Sequence, residues 1–236
     1  MKISLVVPAH NEEKYIGVCL ESIVKNGGEL HEIVVVNNAS TDRTLEIAAS
    51  FSKIRVVTEP KKGANRARQR GVLESSGEII AFIDADTKMP ENWVREVIAS
   101  FQKDEKLVCL SGPYVFYDVS SLTKVSVWLY WNIFARIAYL FTGYMAVGGN
   151  LVVRRKALEK IGGFDTNINF YGDDTDTAKR LHKVGKVKFN QKLIMHTSAR
   201  RLKGEGFFLA AYRYVINFLS EVFIGKPINN DYRDIR

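Results

Sequence analysis

Asp84-Ala85-Asp86 follows directly on the apolar run Ile79–Ile83. Alternate residues at a strand end can turn two carboxylates toward one pocket, where they repel unless a cation stands between them. A hard divalent ion such as Mg²⁺ or Mn²⁺ suits oxygen ligands of this kind and can bridge to a diphosphate. A second acidic group, Asp173, Asp174 and Asp176, follows Gly172. It reads either as a helix N-terminus favoured by the macrodipole, above all for Asp176, or as the source of a general base that takes a proton from an acceptor hydroxyl. Arg200, Arg201 and Lys203 form a basic run, and a guanidinium pair is well shaped for phosphate oxygens. Lys61 to Arg68 is a second basic loop. For each basic run an ordinary solvated face is the competing reading. His196 lies just before Arg200; it is either structural or a third metal ligand beside Asp84 and Asp86.

Those residues need elements to position them. Ile3 to Val7 reads as a buried strand, and Ile16, Leu20, Ile23 and Val24 fall at helical spacing within 12–25, stopped by Asn26-Gly27-Gly28. Further strands are expected at 33–36, 54–57, 79–83 and around 193–195. Helices are expected at 44–51, with Ser40 or Asp42 as cap, at 66–75, and at 90–101 with Pro90 in the first turn. Strand and helix in alternation imply an α/β fold: a Rossmann-like, doubly wound, mostly parallel sheet flanked by helices. Ligands in such sheets bind beyond the carboxyl ends of the strands. The loops 8–13, 37–42 and 84–87 should therefore converge on one crevice.

A chain of 236 residues, 46% hydrophobic and 25% charged, is ordinary for a folded domain and excludes a largely disordered protein. The net charge of +8 favours anionic partners, among which charge alone does not choose. Cys19 and Cys109 are far apart in apolar surroundings and read as core residues of a reduced, cytosolic protein. Glu12 and Glu13 interrupt any leader-like apolar stretch, so no secretory signal is expected.

Two later stretches are unusually apolar. In 125–147 the polar residues fall on one stripe; the alternatives are a packed or partner-facing helix, an interfacial helix, or a membrane span, which would separate the two acidic motifs. In 207–224 only Arg213, Asn217 and Glu221, spaced four apart, are polar. This amphipathic C-terminal helix asks for cover from the first stretch, a second subunit, or a bilayer. The expected location is cytoplasmic, peripheral at the membrane, with a homodimer as the competing reading.

In family order, the chain resembles the family 2 glycosyltransferases of the GT-A fold over about residues 3–206. The resemblance rests on Val6-Val7-Pro8-Ala9-His10-Asn11-Glu12-Glu13, Val36-Asn37-Asn38-Ala39-Ser40-Thr41-Asp42, and Gly63 with Ala67-Arg68-Gln69-Arg70-Gly71. It continues through Asp84-Ala85-Asp86, Gly148-Gly149-Asn150, Gly162-Gly163-Phe164-Asp165, and Gly172-Asp173-Asp174. It implies a GT-A domain at 1–206, with a nucleotide-binding half to about 110 and an acceptor half at 111–206, then an apolar helix and tail at 207–236. It implies transfer of a sugar from a nucleotide-diphosphate-sugar to a glycan or lipid-linked acceptor, with no nucleic acid partner.

The roles implied are specific. Pro8, Ala9, His10 and Glu12 border base and ribose, Asn38 meets the base, and Gly63 and Arg68 belong to the same donor-binding set, on a basic loop that serves the diphosphate. Asp84 and Ala85 approach the ribose or metal, and Asp86 binds metal. Arg200, Arg201 and Lys203 hold the diphosphate. Asp174, paired with Asp173, is the base of an inverting displacement, although some relatives with Asp-X-Asp and a downstream histidine retain configuration. Three positions depart from the family pattern: Asn37-Asn38 replaces Asp-Asp, Asp173-Asp174 replaces Glu-Asp, and Gln69 replaces Asn. A nucleotidyltransferase and a non-catalytic nucleotide-sugar binder are the alternatives.

Overall fold

The computed structural model describes residues 1–168 and 172–225. Tyr171, Lys226 and the tail that follows lie outside the described residues. In chain order the elements are β1 (Ile3–Ala9), α1 (Ile16–Asn26), β2 (Glu32–Asn38), α2 (Thr44–Ala49), β3 (Arg55–Glu59), α3 (Ala64–Glu74) and β4 (Ile79–Ile83). Next come β5 (Thr87–Lys88), α4 (Trp93–Lys103), β6 (Leu107–Ser111), β7 (Tyr114–Phe116) and α5 (Ser121–Leu129). A π-helical turn, Tyr130–Phe134, joins α5 to α6 (Ala135–Thr142). The chain continues through β8 (Asn150–Arg154), α7 (Arg155–Lys160), α8 (Asp173–His182), β9 (Lys186–Phe189), β10 (Met195–Thr197), α9 (Arg200–Glu205) and α10 (Phe207–Phe223).

Seven strands form the main sheet in the order β3-β2-β1-β4-β8-β6-β9. All pairings are parallel except those of β8 with β4 and β6. A short sheet, β5-β10-β7, stands beside it. The central strand β4 is apolar and buried at every position because both faces are covered. Ile3, Leu5 and Val7 of β1 meet α1 and α4 through Leu20, Ile23, Trp93 and Val97. Val6, Val34 and Val36 face the other side, against Ala67 and Val72 of α3 and Leu181 of α8. Gly71 lets α3 lie directly on β1, since a Cβ there would collide with the Val6 side chain. Cys19 and Cys109 are fully buried in this core, and burial pushes both thiols up to about 12.

Polar groups at the base of the sheet are matched. Glu32 accepts from Ser4 Oγ at 2.7 Å, Ser76 N at 2.6 Å and Ser76 Oγ at 2.8 Å, and pairs with Arg55 at 3.3 Å. It thereby ties β1, β2, β3 and the α3–β4 turn together.

Several boundaries differ from the sequence reading. The first helix begins at Ile16, because Glu12 O is taken by the N–H groups of Tyr15 and Ile16 in a preceding turn. Pro90 lies before α4, which starts at Trp93; the Trp93 N–H bonds Pro90 O at 3.2 Å. The last predicted strand falls at Met195–Thr197, two residues later. Asp42 serves α2 from just outside, accepting from Thr44 N at 3.0 Å.

The larger differences concern the apolar stretches. The 125–147 stretch is packed only in part: Ala135, Tyr144, Met145 and Ala146 are buried, but most of the helical surface is not. Helices α5 and α6 run to Gly143, where φ is 75°, and Leu140 and Phe141 are 80% and 87% exposed. Among the described residues no helix is long and apolar enough to cross a membrane. In α10 the polar stripe points inward: Asn217, Ser220 and Glu221 are buried, while Tyr212, Phe223 and Ile224 are exposed.

Candidate functional site

The direction of strand addition reverses between β1 and β4, and that switch point opens a crevice at the strands' carboxyl ends. Pro8 fits this place, because pairing of β1 with β4 ends at Val6–Phe82 while pairing with β2 runs on through Pro8–Val36. A ring without an N–H costs nothing on the open side. The crevice deepens into a cavity of about 1000 Å³.

The first two loops are stitched together. His10 Nδ1 lies 2.6 Å from Asn38 O, Asn11 Oδ1 accepts from Thr41 N at 2.8 Å, and Glu12 N donates to Thr44 Oγ1 at 2.6 Å. Asn38 then fixes the loop before α3. Its amide donates to Glu59 O at 3.1 Å and Lys61 O at 2.8 Å, and its oxygen accepts from Gly63 N at 2.8 Å. The departure from aspartate at this position is therefore structural: a carboxylate could not donate to two carbonyls.

The third loop, after β4, carries the paired carboxylates. Asp84 accepts from Tyr114 Oη at 2.8 Å and lies 3.7 Å from Arg68. Gly149 leaves room for this pair; a Cβ there would strike both Tyr114 and Asp84. Asp86 is bonded by Arg200 Nε at 2.8 Å, and the same guanidinium reaches Glu12 at 2.5 Å and stacks over the Tyr15 ring. Burial pushes the Asp86 carboxyl up; Arg200 opposes this, while Asp84 and Glu12 add to it.

Across the cavity, Gly172 caps α8 with φ of 83° and places Asp173 and Asp174 in its first turn. Asp173 pairs with the buried Arg68. Burial alone would weaken the Arg68 charge, but Asp173 and Asp84 hold it cationic. Asp174 accepts from the backbone N–H groups of Thr175 at 2.8 Å and Gly148 at 3.3 Å. Burial first, and the Asp173 charge second, raise its carboxyl well above the ordinary range. Asp176 is structural: it binds Arg180 at 2.6 Å, and Arg180 also ties down Gly163 O at 2.7 Å.

The cavity thus gathers Pro8, Ala9, His10, Glu12, Asn38, Gly63 and Arg68 with Asp84, Ala85, Asp86, Asp173, Asp174, Arg200 and Arg201. Two expected residues are not brought in. Thr197 faces Asp86, with its Oγ1 3.4 Å away, so strand alternation turns the neighbouring His196 to the opposite side. There His196 pairs in register with Lys88 and is exposed. Lys203 reaches Asp118 instead, at 3.1 Å. Tyr114 was missed, and Gly148 was noted only as part of a family segment. Tyr114 follows Gly112-Pro113 at the end of an apolar run, the same strand-end signal that marks Asp84.

Asp84 and Asp86 fit a divalent cation. Asp86 is a buried carboxylate with Asp84 and Glu12 near it, and both Asp84 and Asp86 border an open cavity where diphosphate and water oxygens can complete the shell. Among the described residues no cluster of three or more His, Cys, Asp and Glu forms a protein-only cage.

Comparison with known proteins agrees with this geometry. The family described as "Glycosyl transferase family 2" matches residues 4–162. "Probable glycosyltransferase YdaM" of Bacillus subtilis is 30% identical over 209 residues, covering 78% of this chain and 47% of that protein. The chain spans about half the length of this relative. Among solved structures, the mannosyltransferase PcManGT from Pyrobaculum calidifontis, in complex with GDP-Man and Mn²⁺, aligns at TM-score 0.74 and 20% identity. The alignment covers 95% of this chain and 63% of that one. Glucosyl-3-phosphoglycerate synthase from Mycobacterium tuberculosis, in complex with Mn²⁺, UDP-Glc and phosphoglyceric acid, aligns at 0.65 and 22%, covering 96% and 80%. At these identities the two structures establish the shared fold.

Proposed function

The chain belongs to glycosyl transferase family 2, and from that premise we propose that it moves a sugar from a nucleotide-diphosphate-sugar to an acceptor hydroxyl, with inversion. The observation that carries the reading is the division of labour between adjacent carboxylates at one cavity. Asp173 is committed to Arg68, whereas among the described residues Asp174 is hydrogen-bonded by N–H groups and the Thr175 hydroxyl. A carboxylate so placed, with its proton affinity raised by burial, suits a general base.

The other residues follow from their positions. Pro8, Ala9, His10 and Asn38 line the end of the cavity built by β1 and β2, where a nucleoside would lie. Arg200 carries a buried Nη1 with no hydrogen-bond partner among the described residues, a donor suited to a diphosphate oxygen. Arg201 lines the same wall. A divalent cation, bound by Asp84 and Asp86, would neutralise charge on the departing diphosphate. Asp174 takes the acceptor proton, and Tyr114 and Arg68 keep Asp84 in place. The acceptor, glycan or lipid-linked, enters between the π-helical turn and α10, where Tyr130, Trp131 and Phe218 line the cavity.

The test is incubation with UDP- and GDP-sugars and Mn²⁺, with the nucleotide product identified. Free nucleoside diphosphate is the expected product. Pyrophosphate would establish nucleotidyl transfer instead, and no turnover with any donor bound in a thermal-shift screen would leave a non-catalytic binder.

A further inference from the structure

Helix α10 is inverted relative to an ordinary surface helix. Its polar stripe is turned to the protein: Glu221 O accepts from Lys179 Nζ at 2.7 Å, Arg213 pairs with Glu205 at 3.0 Å, and Asn217 is buried. Its apolar residues face out, with Tyr212 at 62% and Phe223 at 81% exposure. Helices α5 and α6, with the π-helical turn between them, also expose large apolar side chains: Trp128, Phe134, Leu140 and Phe141. Phe218 of α10 packs with Trp131 and Ala138 in one small cluster, so the two helical segments are neighbours. Together they present more apolar surface than a monomer normally leaves in water.

Charge selects the occupant. From Val119 to Leu158 the sequence holds no aspartate or glutamate, and Lys124 and Arg136 are exposed on the helices themselves. Between Gly206 and Gly225 the sole carboxylate is the buried Glu221. Exposed tryptophan, tyrosine and phenylalanine beside cations, with no exposed anion, is the composition of an interfacial helix lying on anionic headgroups. A second copy of the same cationic face would repel itself.

We propose that α5, α6 and α10 form a docking face for an anionic bilayer surface. The face lies on the bilayer without crossing it, and the acceptor end of the cavity opens beside it, since Tyr130, Phe134 and Tyr214 belong to both. This orientation rests on the proposed transfer reaction; the docking itself does not.

The test is flotation of the full chain with vesicles of phosphatidylcholine alone or mixed with phosphatidylglycerol. Binding is expected with the anionic vesicles. It should weaken at least about tenfold in the double variant Leu140→Asp/Phe141→Asp and in Phe223→Asp. Lys124→Glu and Arg136→Glu should each cost roughly fivefold on anionic vesicles only. None of these residues lines the cavity, so release of nucleoside diphosphate from donor in lipid-free solution should be unchanged; loss of that release in the wild type would count against the transfer reaction and leave docking intact. No flotation with either vesicle overturns the docking face. A dimer by light scattering that Leu140→Asp/Phe141→Asp dissociates, in a protein that does not float, assigns the face to a second copy.

Discussion

The Arg200 guanidinium donates from Nε to Asp86 Oδ2 at 2.8 Å, on one of the two carboxylates proposed to hold the metal. Arg200 also bonds Glu12 at 2.5 Å, so one cation joins the loop after β1 to the loop after β4. The same side chain is the best-placed guanidinium for the diphosphate. If Asp84 and Asp86 bind a divalent cation as proposed, Arg200 would compete with the free metal and cooperate with metal–diphosphate.

Arg200→Ala should separate these effects. Free Mn²⁺ should bind more tightly, by about tenfold, because Asp86 loses its competing cation. Sugar transfer should fall roughly 10²–10³-fold, the usual loss for one charge-stabilising donor. Calorimetry with Mn²⁺ alone and steady-state kinetics measure the two arms, and weaker binding of free Mn²⁺ would refute the competition. Asp86→Asn should abolish transfer and Mn²⁺ binding together.

Asp173 and Asp174 should fail in different ways. Asp174→Asn should lower the transfer rate roughly 10²–10⁴-fold with donor affinity nearly intact. The base acts ionised and its proton affinity is raised by burial and by Asp173. The wild-type rate should therefore fall as pH drops, with an acid limb well above the ~3.9 of an ordinary aspartate, and Asp174→Asn should lack that limb. Asp173→Asn removes the nearer of the two carboxylates that hold the buried Arg68, leaving Asp84 at 3.7 Å, and should lower stability by about 1–3 kcal/mol, visible in the melting temperature. A larger loss of rate in a stable Asp173→Asn protein would reverse the assignment.

Much of this site was legible because its residues sit at strand ends. Hydrophobic runs at 3–7, 33–36 and 79–83 announce their strands, and the polar residues that follow must project into one crevice once the strands are parallel. His196 was misplaced for a physical reason: period-two alternation makes a side chain's face depend on register, and Thr197 holds the Asp86 side. The inversion of α10 was illegible because a helix with one narrow polar stripe looks the same from either side. Partners outside the helix, Lys179 and Glu205 among them, decide that the stripe points inward.

Asn38→Asp restores the family's usual residue and should nevertheless destabilise this protein. Glu59 O and Lys61 O would lose their donors and face a carboxylate. A loss of about 1–3 kcal/mol is expected from unsatisfied acceptors, together with weaker nucleotide binding as the loop at Gly63 loosens. Urea denaturation and donor titration check the two effects; an Asn38→Asp protein of unchanged stability would show that the amide is not the bracket.

Glu32 supplies the clearest link between pH and fold stability. Burial alone would raise its carboxyl, but hydrogen bonds from Ser76 and Ser4, with Arg55 beside them, outweigh it and bring it down to about 2. A depressed carboxylate stabilises the fold fully above its unfolded value of about 4.3 and loses that contribution as pH falls toward the folded value. Glu32→Gln should therefore cost about 1–2 kcal/mol at pH 7, a range set by the lost charge-assisted bonds and reduced by partial solvent screening. The gap between the two proteins should narrow below about pH 4 and nearly close near pH 2, where wild-type Glu32 is itself half protonated. Urea denaturation of both proteins across that range measures it. A gap that stays constant with pH would mean that Glu32 acts through shape and not through charge.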